Sequence, residues 1–202
     1  MGRLSRERKL LESAVSYALT EAALVTPQLL SNPTPCPGWD LEMLLNHVVD
    51  SIRVLREAIA TGRVSPGADP DADGRANPDP VARLRSETAR LLAAGVAPGS
   101  TGRTVSIGDR ELRPSMVTVA GAMEIAVHGW DISVACGVAR AIPSSLAAVL
   151  LPIAPLLITA DTRLGLFADP VRLADPAGLG DELVAFLGRR PGHPAPREPS
   201  SA

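Results

Sequence analysis

Glu124 and His128 stand four residues apart in the stretch Ala122-Met123-Glu124-Ile125-Ala126-Val127-His128-Gly129-Trp130-Asp131. Inside a helix that spacing sends a carboxylate and an imidazole out of one face within one turn, a geometry that suits a divalent metal and equally a solvated Glu-His pair. A second imidazole, His47, falls inside another predicted helix, and of the three histidines only His193 lies in a tail. If the two helices are neighbours, His47, Glu124 and His128 present two nitrogens and one oxygen to a single point. Such a set matches a divalent transition metal, most simply zinc, with iron or nickel also compatible, and three protein ligands leave a position open. Asp131, one turn beyond His128, and Asp50, one turn beyond His47, are placed to orient the imidazoles; the alternative for each is a cap or a solvated charge.

The elements that must position these residues follow from apolar spacing. Ser5 to Leu30 carries a seven-residue recurrence through Leu4, Leu11, Ala18 and Val25, which predicts an amphipathic helix that Pro27 kinks or ends early. Ser31 to Trp39, with prolines at 33, 35 and 37 and Gly38, predicts a rigid connector, and Asp40 an N-cap. From Leu41 to about Ala60 a stripe of Leu41, Leu44, Leu45, Val48, Ile52, Leu55 and Ile59 predicts a second helix with His47 on the margin of its apolar face. A third helix is expected from Asp79-Pro80 to about Ala94, and a fourth from about Ser115 to Cys136, opened by Pro114 and closed by Gly137. The core stripe of the fourth is Met116, Ala120, Met123, Val127, Trp130 and Val134, with Glu124, His128 and Asp131 along one flank. A fifth, kinked helix is expected over Ser144 to Thr159 and a short amphipathic turn over Leu183 to Leu187, with a proline-rich tail after Arg190.

Between the helices, Thr61 to Asp79 reads as a long mobile surface loop. Its Asp69, Asp71, Asp73 and Gly74 imitate the start of a calcium loop, but Pro80 takes the place of the bidentate glutamate. Gly95 to Gly102 reads as a connector, and Thr104 to Leu112 alternates weakly around Gly108-Asp109, a short hairpin signal. The expected organisation is a helical bundle over 1–160, a C-terminal extension packed on it over 161–190 and a disordered tail over 191–202.

Composition narrows the function classes. With 20 basic and 22 acidic residues and no long basic run, nucleic acid is not an expected partner. The longest apolar run, Leu146 to Ile158, contains Pro152 and Pro155 and is too short for a membrane span. Cys36 and Cys136, far apart and without a signal peptide, read as cytosolic thiols, so the expected location is the cytoplasm. Scarce aromatics, 2% of the chain, leave aliphatic residues to fill a core of helices. An open metal site supports either hydrolysis by bound hydroxide or attack by a bound thiolate, and spacing does not choose between them.

The segments Thr34-Pro35-Cys36-Pro37-Gly38-Trp39 with Leu44-Leu45-Asn46-His47, then Glu124-Ile125-Ala126-Val127-His128-Gly129-Trp130-Asp131, resemble the paired signatures of the mycothiol-dependent maleylpyruvate isomerase family, in the DinB-like superfamily of metal-binding four-helix bundles. Leu187-Gly188-Arg189-Arg190-Pro191 resembles a C-terminal feature of its shorter members. The resemblance implies an all-α, DinB-like four-helix bundle with an extra C-terminal helical segment, alongside the short hairpin before the fourth helix. It implies that His47, Glu124 and His128 correspond to metal ligands, zinc being usual, and that mycothiol coordinates the metal through sulfur as cosubstrate. Trp39 and Trp130 match the motifs as structural residues. The isomerase carries a further C-terminal α/β domain, whereas the segment after Gly137 here is short and proline-rich, so thiol transfer to another electrophile is the safer expectation. The expected function is a metal-dependent thiol transferase or thiol-assisted isomerase acting with a low-molecular-weight thiol on an electrophilic small molecule, as a monomer or homodimer. The alternatives are a non-enzymatic metal- or metabolite-binding module and a metal-dependent hydrolase.

Overall fold

The computed structural model describes residues 2–64, 79–94, 104–107, 110–174 and 177–192. Four long helices make the body: α1 (Gly2–Ala22), α2 (Leu41–Thr61), α3 (Pro80–Ala94) and α4 (Pro114–Ala135). Helix α1 packs on α4 and α3, and α2 packs on α3 and α4, so the four close into one all-α bundle, the architecture of the DinB-like class.

Helix α1 stops at Ala22, before Pro27. Leu24 and Val25 already bond three residues back, to Glu21 and Ala22, and Thr26 is extended at φ −118 and ψ 160. The residue before a proline is pushed out of helical space, so the break precedes the proline itself. The connector from Asn32 is rigid as expected: Pro33 pairs with Asp40, and Thr34 Oγ1 donates to the Trp39 carbonyl at 2.9 Å. Asp40 then caps α2 by accepting the Met43 N–H at 2.8 Å. Asp40→Ala is expected to cost about 1 kcal/mol, seen as a lower urea midpoint at unchanged slope; an unmoved midpoint would deny the cap its role.

Helix α2 buries Leu41, Leu44, Leu45, Val48, Val49, Ile52, Leu55 and Ala58, which leaves His47 half-buried beside that stripe. On its other flank α2 meets the buried carboxylate of Glu87 on α3, ringed by Arg53, Arg56 and Arg90 at 3.6, 3.5 and 2.9 Å. Asp79 accepts the Val81 N–H at 2.9 Å and starts α3.

A small sheet adjoins the bundle. Strands β2 (Val105–Ile107) and β3 (Arg110–Leu112) form the expected antiparallel pair, with Val105 opposite Leu112. The start of the supposed loop after Thr61 is a strand instead: β1 (Arg63–Val64) runs parallel to β2, Arg63 opposite Ser106. Parallel neighbours need a long crossover, and α3 lies in it. The aspartates of the calcium-like stretch and His193 lie outside the described residues.

Helix α4 departs from a simple amphipathic stripe. From Ala122 to Ala135 every residue except Glu124 is buried, so α4 is the central helix, while Met116, expected inside, is 37% exposed on its first turn. Gly129 permits close packing of α4 on α1, since a Cβ there would stand 3.0 Å from the Ala18 backbone. The expected fifth helix is broken by its prolines into α5 (Ser144–Leu150) and α6 (Ala154–Leu157), followed by α7 (Ala160–Arg163). The last helix, α8 (Leu179–Phe186), starts four residues before the expected Leu183 and packs on α5. Among the described residues no helix is long and apolar enough to cross a membrane.

Candidate metal centre

Helices α2 and α4 face each other with His47 and Glu124 at the seam. His47 Nε2 lies 2.9 Å from Glu124 Oε1, and His128 Nε2 lies 3.1 Å from the same oxygen. The three candidate ligand atoms are all within 4.8 Å of one another, and the two imidazole rings meet edge to face at 5.1 Å between centroids. His47 and Glu124 keep 37% and 35% of their side chains exposed, so the cluster opens to solvent on one side while His128 closes the other. The Trp39 ring stands 4.7 Å from the His47 ring, also edge-on, and Ser51 Oγ donates to Glu124 Oε1 at 3.2 Å.

Behind His128 lies a second layer, built around the wholly buried Asp131. His128 Nδ1 donates to Asp131 Oδ2 at 2.9 Å, which directs Nε2 toward Glu124 and His47. Asp131, with no exposed surface, is gripped by Arg189, whose Nη2 and Nε reach Oδ2 and Oδ1 at 2.8 and 3.1 Å. Arg189 comes from the chain just past α8. There Gly188 sits at φ +82, and Arg189 N–H returns to the Val184 carbonyl, a Schellman turn that aims the guanidinium inward. Cys36 joins the layer, its Sγ 3.5 Å from Asp131 Oδ2 and 3.8 Å from Arg189 Nη2. Cys36, His128 and Asp131 also converge closely enough to hold an ion. Arg189 already supplies the positive charge at Asp131, so this trio fits an orienting role, and the His47, Glu124 and His128 trio is the one that suits a metal.

Electrostatics agree with that division. Burial opposes ionisation of Glu124, but hydrogen bonds from His128 and His47 hold its carboxyl well below the usual carboxylate range. Burial likewise works against a charged His128, yet Asp131, Cys36 and Glu124 raise its pKa well above the ordinary histidine value. For Asp131, desolvation is outweighed by the charge of Arg189 and the bond from His128, and its pKa falls to about 2.

Residues 11–133 match the mycothiol maleylpyruvate isomerase N-terminal domain family. The chain belongs to that family. Two curated proteins of Mycobacterium tuberculosis are similar to it along most of their length: Uncharacterized protein MT0763 of strain CDC 1551 / Oshkosh and Uncharacterized protein Rv0738 of strain H37Rv. Each is 29% identical over 171 residues, covering 83% of this chain and 88% of the relative. No solved structure matches the chain significantly. The family match holds His47, Glu124, His128 and Asp131 and ends before Arg189.

Of the residues read from the sequence of this mycothiol isomerase family member, His47, Glu124, His128 and Asp131 are brought together. Asp50 instead has Oδ1 3.4 Å from Arg53 Nη1, toward α3. Cys36, read from the sequence only as a thiol, joins the cluster, as do Ser51 and Arg189, none of which was expected at the site. Ser51, one turn after His47, could have been found by the same four-residue rule. Arg189 had only the stretch from Leu187 to Pro191 to mark it.

Proposed function

We propose that the protein is a metal-dependent thiol transferase or thiol-assisted isomerase, in which zinc or another divalent transition metal is held by His47, Glu124 and His128 and mycothiol is the cosubstrate. The observation that carries this reading is the convergence of two imidazole nitrogens and one carboxylate oxygen at a spot open on one side, in a chain whose family is described by mycothiol. The metal would supply the Lewis acidity that brings a coordinated thiol's pKa toward neutrality.

The chain's own residues have separate tasks in this reading. Asp131 keeps the Nδ1 proton of His128 and so leaves Nε2 as a ligand atom, Arg189 offsets the buried charge of Asp131, and Ser51 and Trp39 fix Glu124 and His47 from the sides. The thiol reacts as its thiolate, its proton passing to solvent; sulfur bonds to an electrophilic carbon as that carbon's π bond opens onto its neighbour, which takes a proton from solvent, or as a leaving group departs with its bonding pair.

Zinc-loaded protein is expected to accelerate conjugation of mycothiol across a panel of electrophiles. No acceleration with any of them would end this reading, and turnover undiminished without thiol would replace it with hydrolysis. Metal uptake should also be linked to pH. Without metal, His128 holds its second proton up to its raised pKa, and that proton lies between Nε2 and Glu124. An incoming ion must expel it, so apparent affinity should rise with pH up to that raised pKa and level off above it. Titration against a chromophoric chelator at stepped pH measures this, and a flat profile would contradict it.

A further inference from the structure

An open cavity of about 640 Å³ is lined by α1 and the chain after α4. Its wall includes Lys9, Tyr17 and Glu21 from α1 and Arg140 from the loop. Glu21 has no exposed surface, and among the described residues neither of its carboxylate oxygens has a well-aligned hydrogen bond. The Arg140 guanidinium stands over it, Nη1 at 3.2 Å from Oε1, but out of hydrogen-bonding alignment and with 48% of its side chain in water.

Buried carboxylate oxygens without hydrogen bonds are costly, and glutamine or leucine would fill the same space more cheaply if packing were the only role. The backbone of Arg140 is pinned, its N–H donating to Ser133 Oγ at 3.1 Å and its carbonyl accepting from Tyr17 Oη at 2.7 Å. The side chain alone can therefore swing away from Glu21 while its base stays in place.

We propose that this cavity is a second ligand site, for a small zwitterion bearing an ammonium and a carboxylate, that is, a free α-amino acid or a close derivative. The ligand's ammonium takes the place of the guanidinium at Glu21 and supplies the hydrogen bonds its oxygens lack. The ligand's carboxylate meets Arg140 at the rim. Glu12, the other acid of the wall, is already engaged with Arg8 at 2.7 Å, which leaves Arg140 and the buried Glu21 to be matched. One poorly aligned ion pair is thereby exchanged for two good ones, which a simple amine or a simple acid cannot do. A volume of this size suits one amino acid with room for its side chain.

The proposal does not depend on the metal. Saturation-transfer NMR on the full chain would screen each common L-amino acid, with the matching decarboxylated amines and N-acetyl amino acids as controls. At least one amino acid is expected to bind, with its amine and its N-acetyl form at least about tenfold weaker. Arg140→Gln, at a half-exposed side chain, should weaken binding to a similar degree while the metal content of the same sample stays unchanged. Absence of binding by every amino acid tested on wild type would overturn the proposal, as would equal binding of the controls or unchanged affinity in Arg140→Gln.

Discussion

Glu124→Gln is expected to abolish stoichiometric metal binding and to return thiol conjugation to its uncatalysed background. The oxygen that both imidazoles approach, at 2.9 and 3.1 Å, is lost as an anionic ligand while the size and shape of the side chain are kept. Loss of an outer-layer partner typically costs roughly 10–100-fold in metal affinity, and loss of one ligand in three must exceed that. Elemental analysis of the wild type beside Glu124→Gln, His47→Ala and His128→Ala measures the effect. Equal metal in all four would remove the basis of the metal reading. Folding should survive in Glu124→Gln, because Glu124 is the half-exposed member of an otherwise buried stretch of α4 and its neighbours do not depend on it for packing.

Arg189→Met should act by a different route and cost stability as well as metal. Removing the guanidinium leaves Asp131 buried with His128 as its remaining charged partner, and breaking a buried pair from one side costs about 3–5 kcal/mol. His128 loses its fixed orientation at the same time, so metal affinity should fall by roughly 10–100-fold. Asp131→Asn combined with Arg189→Met removes both charges and should be more stable than Arg189→Met alone; an equally unstable double variant would show that Arg189 acts through packing. The acid limb offers a separate check. A carboxyl held at about 2 contributes stability that is present above its unfolded value and lost as pH falls through the folded one. For Asp131 this amounts to about 2–3 kcal/mol, disappearing between about pH 4 and pH 2. In Arg189→Met that loss should set in at higher pH.

The helices were legible because each carries its boundary chemistry locally, as with Asp40, the Asp79-Pro80 pair and Pro114. The grouping of His47, Glu124 and His128 was legible for a related reason. Glu124 and His128 are linked by helical spacing, and His47 by its place on the margin of a stripe that had to face another helix. Asp50 shows where projection fails: a residue one turn from His47 can lean toward either neighbouring helix, and Arg53 and the arginine-ringed Glu87 lie on the α3 side. Strand β1 is two residues long, too short to show alternation, and its pairing with residues 106 and 107 is a long-range event. Helix α4 is buried on nearly every side, so its stripe marked only part of what is covered. No spacing rule relates Cys36, Asp131 and Arg189, which lie in three separate parts of the chain, and only the folded arrangement shows them as one layer.

That arrangement makes the centre a reporter of an unbroken chain. The stretch between α7 and α8 is clipped by Arg163, which donates to the carbonyls of Ala168 and Phe186 and lies over the Phe186 ring. A proteolytic nick there would leave all four bundle helices intact, yet the fragment bearing Arg189 could then dissociate. What stayed behind would hold the three proposed metal ligands above a carboxylate stripped of its guanidinium, so under the proposed function cleavage far from those residues would be read out as release of the ion.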